Sequence, residues 1–183
     1  MKHWWLSVSG GLAVIAVAVT IIGSTVGSST LVPGGPLGKG RLATAEQCVP
    51  GKSVGVGDDV LTAPAGSDVR LIHASLYKAH GLRLKALYMV RIVSHRKGGT
   101  ALGTVTFPPK PSSIPSDLYW AHRIVPGDGE VLVPGAPYNV VVALTRTAKI
   151  GYTLAFQFTY SSGGTTYLWR SGLQIKVVPR VCS

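Results

Sequence analysis

Acidic side chains are scarce in this 183-residue sequence. Asp and Glu together number 7 against 18 Lys and Arg, which gives a formal net charge of +11 at pH 7. A chain with this balance attracts anionic partners such as nucleic acid, anionic lipid or an acidic wall polymer. The charge therefore predicts an anionic partner. It does not indicate the cellular compartment of the protein, which other features of the chain indicate.

Charged residues of both signs are also few, at 14% of the chain, whereas hydrophobic residues reach 46%. Disordered chains show the opposite balance, so composition excludes a largely disordered protein. The 23 Gly and 12 Pro are spread between apolar runs. This spacing predicts many turns, as in a sheet-rich fold.

No charged side chain occurs between Lys2 and Lys39. Residues 4–22 (WWLSVSGGLAVIAVAVTII) would reach about 28 Å as a helix, close to the ~30 Å hydrocarbon core of a bilayer. We predict a transmembrane signal-anchor helix over residues 4–26, after a cytoplasmic n-region at residues 1–3. Because positive charge precedes this helix, the rest of the chain is expected outside the membrane.

A cleaved signal peptide is the alternative for this segment, with an h-region at residues 12–22. The following GSTVGSS has no A-x-A cleavage pattern, which favours the uncleaved anchor. Both alternatives export the remaining chain, so nucleic acid is not expected as a partner. Residues 27–47 predict a flexible linker that precedes a domain at residues 48–183.

The chain has only two cysteines, Cys48 and Cys182, which bracket the predicted domain. In an oxidising compartment such a pair predicts a disulfide bridge, and two unrelated buried thiols are the alternative. A bridge closing a loop of this length stabilises by about 5 kcal/mol in the loop-entropy model. A lone pair also lacks the companion spacing of a structural zinc site.

Alternation of apolar and polar residues predicts β-strands at residues 69–78 and 82–94. In the second segment one predicted face comprises Leu82, Leu84, Ala86, Tyr88, Val90 and Ile92. Further strands are expected at residues 101–107, 117–124, 130–133, 138–146, 152–160 and 165–178. Residues 130–133 and 138–146 are expected to form a hairpin, and SSGG at residues 161–164 predicts a turn between the last two strands.

Seven or eight short strands without a helical pattern predict an all-β fold. We expect an immunoglobulin-like β-sandwich preceded by the single transmembrane helix, with a small barrel as the alternative. The Cys…Trp…Cys arrangement of antibody domains is absent, because both cysteines lie at the ends of the domain. A sandwich hosts many functions, so the fold class alone predicts none.

Recognised catalytic and cofactor motifs are lacking. The PGKS at residues 50–53 lacks the earlier glycine of a phosphate-binding loop, and no G-x-S-x-G elbow is present. Four histidines lie in the domain, none at metal-ligand spacing: His73, His80, His95 and His122. Strand phase predicts that His73 points inward. We expect no enzyme activity, no cofactor and no metal site, with an exported hydrolase or metal-binding protein as the alternative.

Residues 69–116 contain no acidic side chain, so their positive charge is locally uncompensated. This stretch holds the candidate residues for binding an anionic surface: Lys78, Arg83, Lys85, Arg91, Arg96 and Lys97. Strand phase predicts that Arg83, Lys85 and Arg91 share one sheet face. Each basic residue near an anionic membrane contributes about 1 kcal/mol, whereas the alternative is a solvated face that keeps the domain soluble.

The sequence as a whole predicts a single-pass protein of the cell membrane with its β-domain outside. Its expected role is binding or structural, at the cell envelope. The alternative is a secreted domain that binds anionic lipid or wall polymer through its basic face.

Overall fold

The computed structural model describes residues 31–38, 45–93 and 101–180. The predicted transmembrane helix at residues 4–26 lies outside the described residues, as do His95, Arg96, Lys97 and Cys182. Within the described ranges, no helix has both the length and the apolar character needed to cross a bilayer.

The described part of the chain is almost entirely β-structure, which confirms the all-β prediction. Its twelve strands are β1 (Val32–Pro33), β2 (Ala45–Pro50), β3 (Ser53–Thr62), β4 (Val69–Tyr77), β5 (Leu82–Arg91), β6 (Gly103–Thr106), β7 (Val131–Leu132), β8 (Pro137–Arg146), β9 (Gly151–Thr153), β10 (Ala155–Ser162), β11 (Thr165–Arg170) and β12 (Leu173–Val178). Three single-turn 3-10 helices lie between strands, at Gly35–Leu37, Pro111–Ser113 and Trp120–His122.

These strands form three sheets. The five-stranded sheet has the order β1-β11-β10-β4-β7, the four-stranded sheet β5-β8-β3-β6 and the three-stranded sheet β2-β12-β9. Most neighbours are antiparallel, but β1 pairs with β11 and β2 pairs with β12 in parallel. The first strands of the domain therefore lie beside its last strands.

One hydrophobic core joins the five-stranded and four-stranded sheets. Phe156, Phe158 and Tyr160 from β10 lie in the same buried cluster as Val140 and Leu144 from β8. Burying each such side chain contributes roughly 1.5–3 kcal/mol. Two sheets that share one core are the layer arrangement of a β-sandwich.

A second cluster covers the outer side of the four-stranded sheet. It consists of Val90, Ile92, Leu102, Leu118 and Val141. Both faces of β8 are therefore buried, which explains why this strand reads as a continuous apolar run instead of alternating.

The strand predicted at residues 117–124 is wrong. This segment is a loop with a 3-10 turn, and its only pairings are two isolated bridges, Leu118 with Ile92 and Ile124 with Met89. Leu118 and Ile124 are both buried against the four-stranded sheet. The spacing of these two residues resembles the alternation of a strand because both point inward from the same loop.

A β-bulge in β4 overturns the predicted orientation of His73. Leu71 pairs with Tyr160 and His73 pairs with Thr159, which leaves Ile72 as the extra residue. A bulge reverses the phase of the residues that follow it. Ala74 therefore packs against the core, and His73 is exposed.

A second bulge, at Lys85, corrects the predicted faces of β5. The register shifts between Leu84 and Ala86, so Leu82 and Leu84 face the main core before the bulge, whereas Leu87 and Met89 do so after it. Tyr88, Val90 and Ile92 belong instead to the second cluster. The six apolar residues predicted on one face are thus divided between two faces. By the same phase change, Arg83 and Arg91 do not share a face.

Two predicted hairpins have different outcomes. β7 pairs with β4, whereas β8 pairs with β3 and β5, so the hairpin predicted between residues 130–133 and 138–146 is wrong and the chain crosses between sheets there. The hairpin of β10 and β11 is confirmed. Its turn residues Gly163 and Gly164 have φ of +56° and +77°, the left-handed pair that a type I′ turn requires.

Residues 31–38, which the linker prediction covers, are docked on the five-stranded sheet; we call them the amino-terminal strap. β1 pairs with β11, and the backbone N–H of Gly34 donates to the carbonyl of Leu168 at 2.9 Å. Leu37 is buried. The sheets thus begin at residue 32, ahead of the predicted domain start at residue 48.

Candidate anion-binding site at the basic end

Five segments of the chain meet at one end of the sandwich. One segment precedes β3, one connects β4 to β5, one follows β6, one connects β8 to β9, and one follows β12. Four backbone hydrogen bonds join them: Gly51 N to Val178 O (2.8 Å), Arg146 N to Lys52 O (2.8 Å), Thr147 N to Gly81 O (2.8 Å) and Phe107 N to Ser53 O (3.1 Å). Strand ends distant in the sequence are thereby held within contact of one another.

Seven basic residues occupy this end, which we call the basic end. They are Lys52, Lys78, Arg83, Lys85, Arg146, Lys149 and Arg180. All are exposed except Arg146, which is half-buried. A cluster of cations at the converging ends of strands produces a concentrated positive field, which is the electrostatic requirement of an anion-binding surface.

Arg146 organises the loops of the basic end. Its Nε donates to the carbonyl of Gly51 at 3.1 Å, and its Nη1 donates to the carbonyls of Ala148 and Lys149. These bonds fix the β8–β9 connection against the segment before β3. Arg146 is therefore a positioning residue that holds Lys149 beside Lys52.

The acidic side chains that the structure describes lie away from the basic end. Asp68, Asp128 and Glu130 flank the other end, where β4 pairs with β7. Asp117 follows them there, since its carbonyl accepts from the N–H of Val93 just after β5, and Asp58 and Asp59 lie at a bulge within β3. Along β8 the two ends are about 30 Å apart at ~3.3 Å per residue, whereas the Debye length is about 8 Å at physiological salt. Charge at the far end therefore does not screen the basic end.

The structure divides the six basic residues that the sequence analysis grouped. It brings Lys78, Arg83 and Lys85 together, but Arg91 pairs with Tyr138 at the other end of β5, about 26 Å from Arg83 at ~3.3 Å per residue. Arg96 and Lys97 lie outside the described residues. Arg83, Lys85 and Arg91 do not share the single face that strand phase predicted for them, whereas the binding role of the six residues remains a prediction.

Sequence reasoning missed Lys52, Arg146, Lys149 and Arg180. Each lies at a strand end or in the connection beyond it, and they come from three stretches that are far apart in the sequence. Proximity along the chain cannot group them, because only the order of strands in the sheets brings their loops together. A strand order would have been the signal needed to find them.

A partly apolar hollow of about 240 Å³ adjoins the basic end. Its lining residues are Ile150, Tyr152, Thr153, Leu154, Gln174, Ile175 and Lys176. Ile150, Tyr152 and Leu154 are 46%, 46% and 37% exposed. Lys149 directly precedes Ile150, so positive charge borders an apolar surface here.

The described histidines are dispersed. His80 lies against the ring of Tyr152 with centroids 5.8 Å apart, His122 stacks on Tyr119 at 4.2 Å, and His73 is exposed on β4. Across the ranges that the structure covers, no three His, Cys, Asp or Glu side chains are grouped so that they could hold a metal ion.

Cys48 lies on β2 opposite Lys176 of β12. Its predicted partner Cys182 lies outside the described residues, so the disulfide bridge stays a prediction. The described chain bends at residues 179–180, directly after β12.

A scan against protein-family models matches no family, and a search of curated proteins finds no relative of this chain.

Proposed function

We propose that this protein is a single-pass, membrane-anchored domain of the cell envelope that binds an anionic polymer through its basic end. Its role is binding, without catalysis. The observation that carries the proposal is the convergence of seven basic residues at one end of the sandwich, far from the described acidic side chains. Adjacent loops at one end of a rigid sandwich are the usual place for a binding site.

An immunoglobulin-like sandwich is the architecture that we propose for the domain. Two sheets share one core, and the chain crosses from one sheet to the other between β7 and β8. Crossings of this kind are typical of Greek-key sandwiches. Predicted export of the domain makes an envelope polymer the accessible anionic partner.

The amino-terminal strap favours a polymer over the lipid of the protein's own membrane. β1 runs parallel to β11 with Val32 opposite Tyr167, so the chain enters the domain beside the β10–β11 turn. The basic end lies at the opposite end of the strands, about 30 Å away along β8 at ~3.3 Å per residue. If the anchor ends at residue 26, four residues separate it from residue 31, and four residues span at most about 14 Å. This short separation favours a basic end that faces away from the bilayer.

The binding test uses the full-length protein in nanodiscs of uncharged phosphatidylcholine. Polygalacturonate is the anionic probe and dextran the uncharged control polymer. In Lys52→Gln/Lys149→Gln the basic end loses two charges, and at about 1 kcal/mol each its Kd for polygalacturonate should rise about 30-fold. Binding by the unaltered protein should weaken as salt rises, because salt screens exposed charges.

The matched control is Arg70→Gln/Arg91→Gln, which removes two exposed charges at the other end of the strands and leaves the same net charge. Its affinity for polygalacturonate should stay within about twofold of the unaltered protein, since both charges lie beyond the ~8 Å Debye length. Equal weakening by both double variants, salt-insensitive binding or absence of binding would each reject the proposal.

A further inference from the structure

Three large side chains project from one face of the chain beside the basic end. Ile150, Tyr152 and Leu154 follow one another at alternate positions, and all three are exposed. Single exposed apolar residues are ordinary, but a contiguous group with a polar rim marks an interaction surface. Gln174 and Lys176 supply that rim.

The backbone of Tyr152 is held on both sides. Its N–H donates to the carbonyl of His80, and the N–H of His80 donates back to the carbonyl of Tyr152, both at 2.8 Å. On the other side Tyr152 pairs with Lys176 of β12. The surface is therefore preorganised, which lowers the entropy lost when a ligand binds.

The close approach of two chain segments sets the position of this surface. A Cβ on Gly151 would lie 2.5 Å from the carbonyl oxygen of Gly81, and a Cβ on Gly81 would lie 2.6 Å from that of Ile150. Only glycine permits this approach at either position. It brings Gly81, at the end of the β4–β5 connection, against Ile150 and Gly151 beside the apolar hollow.

The combination of an aromatic ring, amide and ammonium groups and a cationic border fits one chemical class. A sugar ring presents a face of C–H groups that packs on an aromatic ring, while its hydroxyl groups bond to polar side chains at the edge. An acidic sugar also carries a carboxylate for Lys149 or Lys78. At about 240 Å³ the hollow is smaller than the ~300 Å³ lower bound of sites for drug-sized ligands, as suits a single ring of a longer chain.

We infer that the hollow binds one ring of an acidic polysaccharide, stacked on Tyr152, with its carboxylate directed to Lys149. This inference rests on the proposed function and names its ligand class. The stacking subsite supplies affinity that salt does not screen, while the lysines of the basic end supply the salt-dependent part. The two contributions can therefore be separated by experiment.

The test measures binding of trigalacturonate to the full-length protein by calorimetry, with maltotriose as the uncharged trisaccharide. Tyr152→Ala should weaken trigalacturonate binding about tenfold, in the range of other aromatic stacking contacts, and should leave its salt dependence unchanged. Tyr152→Phe keeps the ring and should retain the affinity. Tyr119→Ala is the matched control, since Tyr119 is 45% exposed against 46% for Tyr152 and also stacks on a histidine.

The outcomes separate this inference from the proposed function. If polygalacturonate binding depends on Lys52 and Lys149 but Tyr152→Ala binds trigalacturonate normally, the stacking subsite is overturned and the proposed function stands. If no anionic polymer binds, both fall. Equal affinity for maltotriose would overturn the acidic ligand class. Binding to phosphatidylserine vesicles is measured in parallel, and a Tyr152→Ala defect that is confined to these vesicles would also overturn the acidic ligand class.

Discussion

The hydroxyl of Tyr160 connects the amino-terminal strap to the core. It donates to the carbonyl of Gly34 at 2.6 Å and accepts from the N–H of Leu37 at 3.1 Å. Burial raises the pKa of Tyr160 above its ordinary value of 10.0, the Leu37 N–H opposes this rise, and Tyr167 adds to it. The phenol therefore stays neutral and keeps both hydrogen bonds across the physiological pH range.

We predict that Tyr160→Phe loosens the strap. The carbonyl of Gly34 and the N–H of Leu37 would each lose this partner, which should lower the free energy of unfolding by about 1–3 kcal/mol. Limited proteolysis should then cut within residues 31–38 faster than in the unaltered protein, and urea unfolding should give the stability change. Tyr167→Phe, which alters the neighbouring stacked ring, is the control.

The same contact predicts a pH dependence. Because the folded-state pKa of Tyr160 is raised, its stabilisation is complete below the ordinary pKa of 10.0 and is lost as pH rises through the folded-state value. Proteolysis of the strap should therefore accelerate above pH 10 in the unaltered protein and much less in Tyr160→Phe. Equal acceleration in both proteins would show that Tyr160 does not hold the strap.

Asn139 shows a limit of prediction from sequence at this scale. It lies within the apolar run of β8 and is fully buried, where its Nδ2 donates to the carbonyls of Gly57 and Asp59 and its Oδ1 accepts from the N–H of Leu102. The partners belong to a bulge of β3 and to the segment before β6. The local pattern of β8 carries no information about them, because they are brought to Asn139 only by strand pairing.

At the scale of the element, alternation predicted where most strands lie but not their phase. Residues 69–78 and 82–94 do contain strands, yet the bulges at Ile72 and Lys85 reverse the side-chain direction partway along each. A bulge depends on the fit between two paired strands, so one strand's pattern cannot reveal it. The predicted strands at 152–160 and 165–178 were likewise each divided, because their two parts pair in different sheets.

β5 is an edge strand, and its bulge and charges protect that edge. Natural edges are blunted by bulges and by charged side chains, which discourage pairing with another chain. Arg83 and Lys85 lie in the first half of β5, ahead of the two bridges that its second half makes with the loop containing Leu118 and Ile124. These two residues thus have a structural role in addition to their place in the basic end.

We predict that Arg83→Val/Lys85→Val promotes self-association through β5. Valine favours extended strands, and the double variant removes both gatekeeping charges. Light scattering of the detergent-solubilised protein should show concentration-dependent aggregation. Lys52→Val/Lys149→Val removes two charges from loops and should stay dispersed under the same conditions. Aggregation of both variants to the same extent would assign the effect to net charge instead of the strand edge.

At the scale of the whole molecule, the sequence predicted an all-β domain but only part of the candidate site. Lys78, Arg83 and Lys85 are close in the chain and were found by proximity. Lys52, Arg146, Lys149 and Arg180 join them from three other places in the chain. Arg91 lies at the opposite end because β5 is ten residues long. Counting charges along the sequence finds basic residues that lie in the same connection. It misses basic residues from different connections, because the order of strands in the sheets decides which connections meet.

The predicted bridge between Cys48 and Cys182 is a further property of the whole chain. We predict that the native protein, analysed by mass spectrometry without reductant, is lighter than the reduced protein by two hydrogen atoms. Reduction should lower the free energy of unfolding by about 2–5 kcal/mol. The same mass spectrum tests the predicted anchor, for which we expect that residues 1–25 are retained. Alkylation of both thiols in the native protein would contradict the bridge, and loss of about the first 25 residues would contradict the anchor.

The parallel pairing of β1 with β11 and of β2 with β12 has a consequence for biosynthesis. Synthesis proceeds from the amino end, so the earliest strands of the domain are made long before the partners that complete their sheets. Pairing over such sequence separations is slow, because a large loop must close before any contact forms. A nascent chain shorter than about residue 165 lacks both partners. The five-stranded and three-stranded sheets thus stay incomplete until β11 and β12 have been synthesised.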